Sequence, residues 1–199
     1  MDLIVHGATG RMGRLICQLA LQQGHTIAAK VAADAPQNSP NDFRRLSDCP
    51  ADLCAAADCV IDFSNHAATA ELLTFCKEHQ LPVVIATTGQ TEAEKVRILE
   101  ASKEIPVFFS ANLSIGIAVL ADLARRAAAA FPQADIEIVE MHHDQKLDVP
   151  SGTALLLARA VQSVRPGSTL LIGRHENGKR TAQEIGVHSI RLGNEVGTH

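Results

Sequence analysis

Three side chains that can carry a proton stand close together in the second half of the chain. His142, His143 and Lys146 fall within five residues, directly after a segment that alternates like a β-strand. Imidazole and ammonium groups can donate a proton to a reacting molecule or accept one from it. Shortly after them, Pro150 and Ser151 predict the start of a helix, because serine is a favoured N-cap residue.

This helix start predicts a turn that binds an anion. Gly152 and Thr153 follow the N-cap and present backbone N–H groups at the positive end of the helix dipole. With two imidazoles and an ammonium nearby, the turn favours a small dicarboxylate. A metal site at His142, His143 and Asp148 and an inert surface loop are the alternatives. We predict no metal, since a lysine is a poor neighbour for a cation.

A glycine-rich turn near the N-terminus is the second chemically informative feature. Gly7, Gly10 and Gly13 follow the first predicted strand and open the first predicted helix. Glycines at such positions allow a tight turn, close approach of the backbone to a pyrophosphate, and helix–strand packing. The spacing is GxxGxxG rather than GxGxxG. The strand–turn–helix context nevertheless favours a dinucleotide site over a purely structural turn.

The end of the second predicted strand bears on the choice between NADH and NADPH. Asp34 stands there and can accept a hydrogen bond from the adenosine ribose, which favours NADH. A solvated loop carboxylate is an equally good interpretation of Asp34. Arg11, inside the glycine-rich turn, can instead meet a 2′-phosphate. The sequence leaves both cofactors open.

Alternating strands and helices predict the framework that positions these residues. The spacing predicts strands at 3–6, 26–33, 59–63, 82–86 and 106–109, with helices at 11–23, 66–79 and 91–102. Residues 34–54 are predicted to be a loop region. Repeated strand–helix units with short links indicate an α/β fold with a parallel, doubly wound sheet.

The pattern changes after a predicted connecting helix at 115–130. Strands at 135–141, 169–173 and 185–192 and a helix at 152–163 follow, separated by longer loops. This predicts a smaller α+β domain with a mixed or antiparallel sheet. We divide the chain into domains at residues 1–112 and 113–199.

Composition excludes several classes of protein. The net charge of −4 gives no basic footprint, and six Phe without Trp or Tyr make base-stacking surfaces improbable, so we expect no nucleic-acid partner. Five cysteines without CxxC spacing favour a reducing compartment. No signal peptide or long apolar segment is visible. We expect a cytoplasmic protein without a membrane partner.

The chain resembles the 4-hydroxy-tetrahydrodipicolinate reductase family, also called dihydrodipicolinate reductases. The turn GATGRMG and the segment HHDQKLDVPSGTA carry the resemblance, which runs through essentially the whole chain. Residues 85–89, 110–114 and 188–199 resemble further segments of the family. The late segment resembles its R-x-G-x-x-x-G-x-H pattern.

The resemblance implies an activity: reduction of 4-hydroxy-tetrahydrodipicolinate to tetrahydrodipicolinate by NADH or NADPH, on the diaminopimelate route to lysine. It implies an N-terminal Rossmann-like domain for the cofactor. It also implies a C-terminal domain that binds the small dicarboxylate and forms a homotetramer. His142 would exchange a proton, Lys146 would donate one, His143 would touch the substrate, and Gly152 with Thr153 would bind a carboxylate.

The resemblance also implies a cofactor site in two parts. The turn near the N-terminus would hold the pyrophosphate, Asp34 would face the ribose, and two later turns would line the nicotinamide. The members of these turns are Gly7, Ala8, Thr9, Gly10, Arg11 and Met12, then Ala86, Thr87 and Thr88, and finally Ser110, Ala111, Asn112 and Leu113.

Some residues depart from the family pattern. Leu113 stands where the family has Phe, Ala86 where glycine is common, and Ala32-Ala33 where cofactor-selecting side chains are frequent. The chain ends at His199, inside a segment that the family continues, so we expect uncovered apolar surface and an unpaired sheet edge. A truncated, catalytically weak or silent nucleotide-binding relative is therefore the alternative. The HHDQKLDVPSGTA segment disfavours a different NAD(P)-dependent oxidoreductase.

Overall fold

In the computed structural model, which describes residues 1–36 and 38–199, the chain divides into two units, Met1–Ala111 and Asn112–His199. The strands of the first unit are β1 (Asp2–His6), β2 (Thr26–Val31), β3 (Asp42–Phe43), β4 (Cys59–Asp62), β5 (Val83–Ile85) and β6 (Val107–Phe109). Its helices are α1 (Arg11–Gln22), α2 (Ala51–Ala56), α3 (Thr69–Glu78) and α4 (Glu92–Ala101), with 3₁₀ turns at Leu46–Asp48 and His66–Ala68.

The described strands of the first unit form one parallel sheet in the order β3-β2-β1-β4-β5-β6. The order reverses between β1 and β4, and the crevice outside the strand ends at such a switch point is where doubly wound folds bind ligands. Both faces of the sheet are covered, since Val5 packs towards α1 while Ile4 and Val60 pack in a cluster with Leu72 of α3. The predicted α/β, doubly wound fold is confirmed.

The predicted loop at 34–54 is wrong in part. This stretch contains β3, a 3₁₀ turn and most of α2. Leu46 and Cys54 are fully buried and hold these short elements against the core. Two buried residues eight positions apart give too little periodicity to reveal a helix or a strand in the sequence.

The second unit begins with α5 (Ile115–Ala130), followed by β7 (Ile136–His142), α6 (Gly152–Gln162), β8 (Thr169–Ile172) and β9 (Glu184–Arg191). Ile138 and Val187 face the helices and pack with Ala154 and Ala158 of α6. The small alanine side chains allow a helix to lie close to a sheet. None of the described helices is both long and apolar enough to cross a membrane.

The sheet of the second unit corrects the expectation of a mixed sheet. Its described strands lie in the order β7-β9-β8, and both strand pairs are parallel. The antiparallel component among the described residues is the bridge between Met141 and Thr198. The long loops suggested antiparallel strands, but α6 and the 173–183 loop both act as crossovers that return the chain in the same direction.

An apolar groove of about 410 Å³ lies beside β7, which is an edge strand of this sheet. Leu120, Phe131 and Val139 are among its lining residues and are substantially exposed. The groove belongs to the surface of the second unit, on the side where α5 and β7 meet.

Candidate active site and nucleotide-binding turn

The glycine-rich turn joins β1 to α1 and is shaped by close backbone contacts. Gly7 has φ +82°, and a Cβ there would lie 2.4 Å from the Phe63 carbonyl oxygen. A Cβ at Gly13 would lie 2.1 Å from the Gly7 carbonyl oxygen. These two positions admit only glycine, because the obstructing atoms are backbone. At Gly10 the nearest obstruction is 3.3 Å away, so its open side is available to a ligand.

The start of α1 differs from the starts of α4, α5 and α6. Thr91, Ser114 and Ser151 cap α4, α5 and α6 with their side chains. Gly10 caps α1 and has no side chain with which to do so. The N–H groups of the first turn of α1 are therefore directed towards the space outside the strand ends, where a phosphate can accept from them.

The other predicted cofactor residues of the first unit follow the carboxyl ends of β5 and β6. Ala86 and Thr87 are buried directly after β5, while Thr88 is exposed. Within residues 1–36 and 38–199, the Thr87 hydroxyl is buried without a hydrogen-bond partner. The Ser110 N–H donates to the Ile85 carbonyl oxygen at 3.1 Å, which holds the third turn beside the second. The glycine cradle and the Thr87 hydroxyl together fit a bound dinucleotide.

Asp34 lies in a cleft of about 460 Å³ next to the glycine-rich turn. The Thr9 hydroxyl donates to its carboxylate at 2.5 Å, so the two predicted cofactor residues are brought together. Arg14 and Lys30 line the same cleft and bring two positive charges to it. The cleft therefore offers groups suited to either a ribose hydroxyl or a phosphate.

In the second unit, β7 carries a carboxylate on the face that packs against the helices. Ile136, Ile138 and Glu140 alternate and share this face. Glu140 is fully buried. A buried charge needs compensation, because moving an ion from water into a protein interior costs on the order of several kcal/mol.

Hydrogen bonds compensate the Glu140 carboxylate on both oxygens. Arg191 of β9 donates from Nη1 to Oε2 at 2.8 Å and from Nη2 to Oε1 at 2.9 Å. His142 Nδ1 lies 2.5 Å from Oε2, and the Ser151 N–H donates to Oε1 at 3.1 Å. Burial raises the pKa of Glu140, but its hydrogen bonds, with those from Arg191 foremost, together lower it to about 2.

The carboxylate dictates the protonation of the neighbouring imidazole. Since ionised Glu140 can only accept, His142 must carry its hydrogen on Nδ1. Nε2 then faces away from Glu140, towards Gly197, where a Cβ would lie 2.9 Å from it. The half-buried His142 side chain therefore presents one ring nitrogen for proton exchange.

The predicted anion turn lies immediately beside this pair. Ser151 accepts from the Ala154 N–H at 3.2 Å and caps α6. Gly152 is exposed, with open space where a Cβ would stand. The Asn112 amide donates to the Thr153 hydroxyl at 2.8 Å, so Asn112, which the resemblance assigned to the nicotinamide side, contacts the anion turn.

Lys146 is held by the next acidic residue along the chain. Its Nζ lies 2.7 Å from Asp148 Oδ1. Burial raises the pKa of Asp148, but the hydrogen bond and charge of Lys146, with smaller contributions from the backbone and Arg191, lower it by more, so the net shift is downward. Arg191 Nη2 also donates to the Asp148 carbonyl oxygen at 2.7 Å, which ties this loop to β9. His143 precedes Lys146 by three residues and is half-buried.

Four residues of the late segment converge on the same site, and sequence reasoning gave none of them a role. Arg191 binds Glu140, and Gly193 accepts from the Asp144 N–H at 3.2 Å. Gly197 leaves room for His142. His199 Nε2 lies 2.9 Å from the Ser151 hydroxyl, and its ring meets that of His142 edge-on at 5.2 Å. Burial, followed by the charge of His142, lowers the pKa of His199.

The described residues contain no group of three His, Cys, Asp or Glu side chains arranged to hold a metal ion. His142 and Asp148, two members of the alternative metal set, are engaged by Glu140 and Lys146 respectively. The arrangement supports proton transfer next to an anion-binding helix terminus.

The low pKa of Glu140 predicts a pH-dependent stability. Because the folded-state value of about 2 lies below the ordinary 4.5, the carboxylate stabilises the fold above pH 4.5. This stabilisation is lost as the pH falls through 4.5 towards 2. It amounts to roughly 3 kcal/mol, at about 1.4 kcal/mol per pKa unit.

We expect the free energy of unfolding to fall by roughly 3 kcal/mol more in the unsubstituted chain than in Glu140→Gln between pH 5 and pH 2. Urea unfolding followed by circular dichroism measures both chains, which contain no Trp or Tyr. An equal fall in the free energy of unfolding of the two chains would contradict the prediction, because it would mean that the pKa of Glu140 is the same in the folded and unfolded states.

Comparison with protein-family models gives two matches along the chain. Residues 1–113 match the model described as dihydrodipicolinate reductase, N-terminus. Residues 116–199 match the model described as dihydrodipicolinate reductase, C-terminus. The two matches together cover both units.

Individual relatives agree with these models. A 4-hydroxy-tetrahydrodipicolinate reductase from Caldanaerobacter subterraneus subsp. tengcongensis is 44% identical, over 99% of this chain and 78% of the relative. One from Exiguobacterium sp. is 40% identical, over 100% of this chain and 76% of the relative. A solved dipicolinate-bound dihydrodipicolinate reductase from Paenisporosarcina sp. TG-14 is 26% identical with a TM-score of 0.74, over 99% of this chain and 80% of that one.

Proposed function

The chain belongs to the dihydrodipicolinate reductase family of oxidoreductases, and we propose that it reduces 4-hydroxy-tetrahydrodipicolinate to tetrahydrodipicolinate. The reaction belongs to the diaminopimelate route to lysine, which we place in the cytoplasm. The observation that carries the proposal is the His142 imidazole, oriented by buried Glu140 beside the open N-terminus of α6.

The first unit is the proposed nucleotide-binding domain. Residues 7–12 would hold the pyrophosphate through backbone N–H groups, Asp34 would contact the ribose, and residues 86–88 and 110–113 would contact the nicotinamide. The bound cofactor, NADH or NADPH, supplies a hydride. The glycine cradle at Gly7 and Gly13 supports this assignment, as does the exposed, uncapped start of α1.

The second unit is the proposed substrate-binding domain. The Gly152 and Thr153 N–H groups would bind one carboxylate of the substrate, as the start of α6 favours anions. His143 would contact the same ligand. The relative from Paenisporosarcina is described as bound to dipicolinate, a ring with two carboxylates, which is consistent with a dicarboxylate here.

The conversion releases the 4-hydroxyl group as water and adds a hydride and a proton to the unsaturated ring that this loss leaves. This chain would supply the proton. Lys146 would donate it, and His142 would exchange protons with the substrate at Nε2. Positive charge on Lys146 would also stabilise negative charge that develops on the substrate. The close pairing of Lys146 with Asp148 holds the ammonium in place before substrate arrives.

We also propose a homotetramer formed through the second unit. The face of its sheet turned away from α6 carries Val139, and Ile190 on the neighbouring strand β9 is also partly exposed. Light scattering is expected to give four times the mass of one chain, and a clean monomer would contradict the proposal.

The test of the function is oxidation of NADPH and NADH by the purified 199-residue chain, with substrate generated freshly by the preceding synthase. Oxidation that depends on substrate is expected, and the two initial rates rank the cofactors. Omission of the synthase is the control. Absence of oxidation with NAD(P)H still bound, as seen by nucleotide fluorescence, would favour a catalytically silent nucleotide-binding relative.

A further inference from the structure

We propose that Glu140 and Arg191 form a positioning pair that fixes both the proton-exchanging imidazole of His142 and the anion-binding turn at Ser151. The inference rests on the proposed role of His142. It assigns a role to two buried or half-buried charged residues that contact no substrate in the proposed mechanism.

The first support is that the carboxylate of Glu140 is saturated. Each oxygen accepts two hydrogen bonds, one from the Arg191 guanidinium and one from a group of the site. Two oxygens that accept four hydrogen bonds have no further capacity. The planar fork of Arg191 fixes the carboxylate plane, and that plane fixes where His142 and Ser151 must lie.

The second support is that the carboxylate joins two functions in one group. Oε2 orients the ring of His142, while Oε1 holds the N–H of Ser151, the N-cap of α6. A shift of Glu140 would therefore move the imidazole and the Gly152 end of the helix together. Arg191 further holds the Asp148 carbonyl oxygen, so the loop that contains Lys146 is tied to the same guanidinium.

The charged and titratable groups that face this pair are few. His199 lies against His142 and Ser151, and Lys146 with Asp148 lies on the loop between β7 and α6. Among the hydrogen bonds formed by the described residues, none joins His142 Nδ1 to His199, Lys146 or Asp148. Glu140 therefore determines the tautomer of His142.

A matched control exists on the same strand. Glu137 also pairs with an arginine and a histidine, Arg180 and His188, and its oxygen lies close to His188 Nε2 at 2.7 Å. It is 39% exposed in its side chain, whereas Glu140 is 0% exposed. Glu137→Gln therefore removes an equivalent pair from β7 without touching His142.

The experiment compares the full chain with Glu140→Gln and Glu137→Gln by ¹⁵N NMR of the imidazoles, with His142 assigned by its loss in His142→Gln. We expect the neutral His142 ring to be Nδ1-protonated in the unsubstituted chain and to lose this preference in Glu140→Gln. We also expect kcat to fall roughly 100-fold and dipicolinate to bind more weakly in Glu140→Gln. Glu137→Gln is expected to change none of these.

An Nε2-protonated ring in the unsubstituted chain would overturn the proposal, and this measurement needs no variant to fold. The proposal would also fail if Glu140→Gln folded and kept both the tautomer and kcat. If Glu140→Gln does not fold, Arg191→Lys preserves the positive charge and removes the fork. Arg191→Lys is expected to retain the Nδ1-protonated tautomer of His142 and to lower kcat roughly 10-fold. An unchanged kcat would show that Arg191 has no positioning role.

Failure of the proposed function is a separate result. In that case the unsubstituted chain would show no substrate-dependent oxidation, while the tautomer of His142 and the binding of dipicolinate would still test the positioning pair.

Discussion

Replacing Lys146 by alanine is expected to lower kcat by roughly 10³-fold while it leaves the affinity for NADPH nearly unchanged. General acid catalysis and stabilisation of developing charge each contribute on the order of 10²- to 10³-fold. The ammonium belongs to the second unit, and the glycine-rich turn belongs to the first. Its removal should therefore affect the reaction and not nucleotide binding. Steady-state oxidation of NADPH and a nucleotide fluorescence titration measure the two quantities.

Folding should survive this substitution, because the Asp148 side chain that Lys146 leaves behind is 58% exposed and remains hydrated. Lys103→Ala is the matched control, since Lys103 pairs with Glu100 on the surface at 2.8 Å. It should leave both kcat and binding intact. Equal losses of kcat and NADPH affinity in Lys146→Ala would refute the assignment of Lys146 as a proton donor.

The sequence predicted the order of the long elements because their apolar residues repeat with clear periods. The helix α5 was predicted at its observed bounds, 115–130, where serine precedes an unbroken apolar stripe and a proline follows. The strands β1, β4 and β5 are buried on both faces and read as continuous apolar runs. The direction of the strands in the second unit was not predictable in this way. The sequence of a long loop does not show whether the next strand runs parallel or antiparallel to the one before it.

The site was predictable where chemistry and local turn geometry coincide in one segment. His142, Lys146 and Ser151 are separated by at most nine residues and point to proton transfer and anion binding without knowledge of the fold. Glu140 carried a weaker signal: an acidic residue on the same strand face as Ile136 and Ile138, where an apolar side chain is expected.

The partners of Glu140 could not be deduced from spacing. Arg191 is 51 residues away from it and becomes its partner only because β7 and β9 pair side by side. His199 reaches Ser151 across 48 residues. The late segment was recognised through resemblance, but its contacts depend on the register of the sheet, in which His142 lies opposite Arg191.

Gly10→Val is expected to weaken NADPH binding by roughly 100-fold while the chain stays folded. Gly10 has φ −67° and ψ 166°, which any residue adopts, and a Cβ there meets only the Gly7 carbonyl oxygen at 3.3 Å. The two methyl groups of valine would stand at the uncapped start of α1, where a phosphate must approach the backbone. Nucleotide fluorescence measures the dissociation constant, and circular dichroism in urea measures the free energy of unfolding.

Gly10 is the informative position because it separates binding from folding. Side chains at Gly7 or Gly13 would collide with backbone at 2.4 and 2.1 Å, so loss of binding there would only report loss of structure. Gly178→Val is the control, as a Cβ at Gly178 meets nothing within 4 Å. If Gly10→Val bound NADPH as tightly as the control, the pyrophosphate would have to lie elsewhere. The cleft beside Asp34, which carries Arg14 and Lys30, would then be the place to seek it.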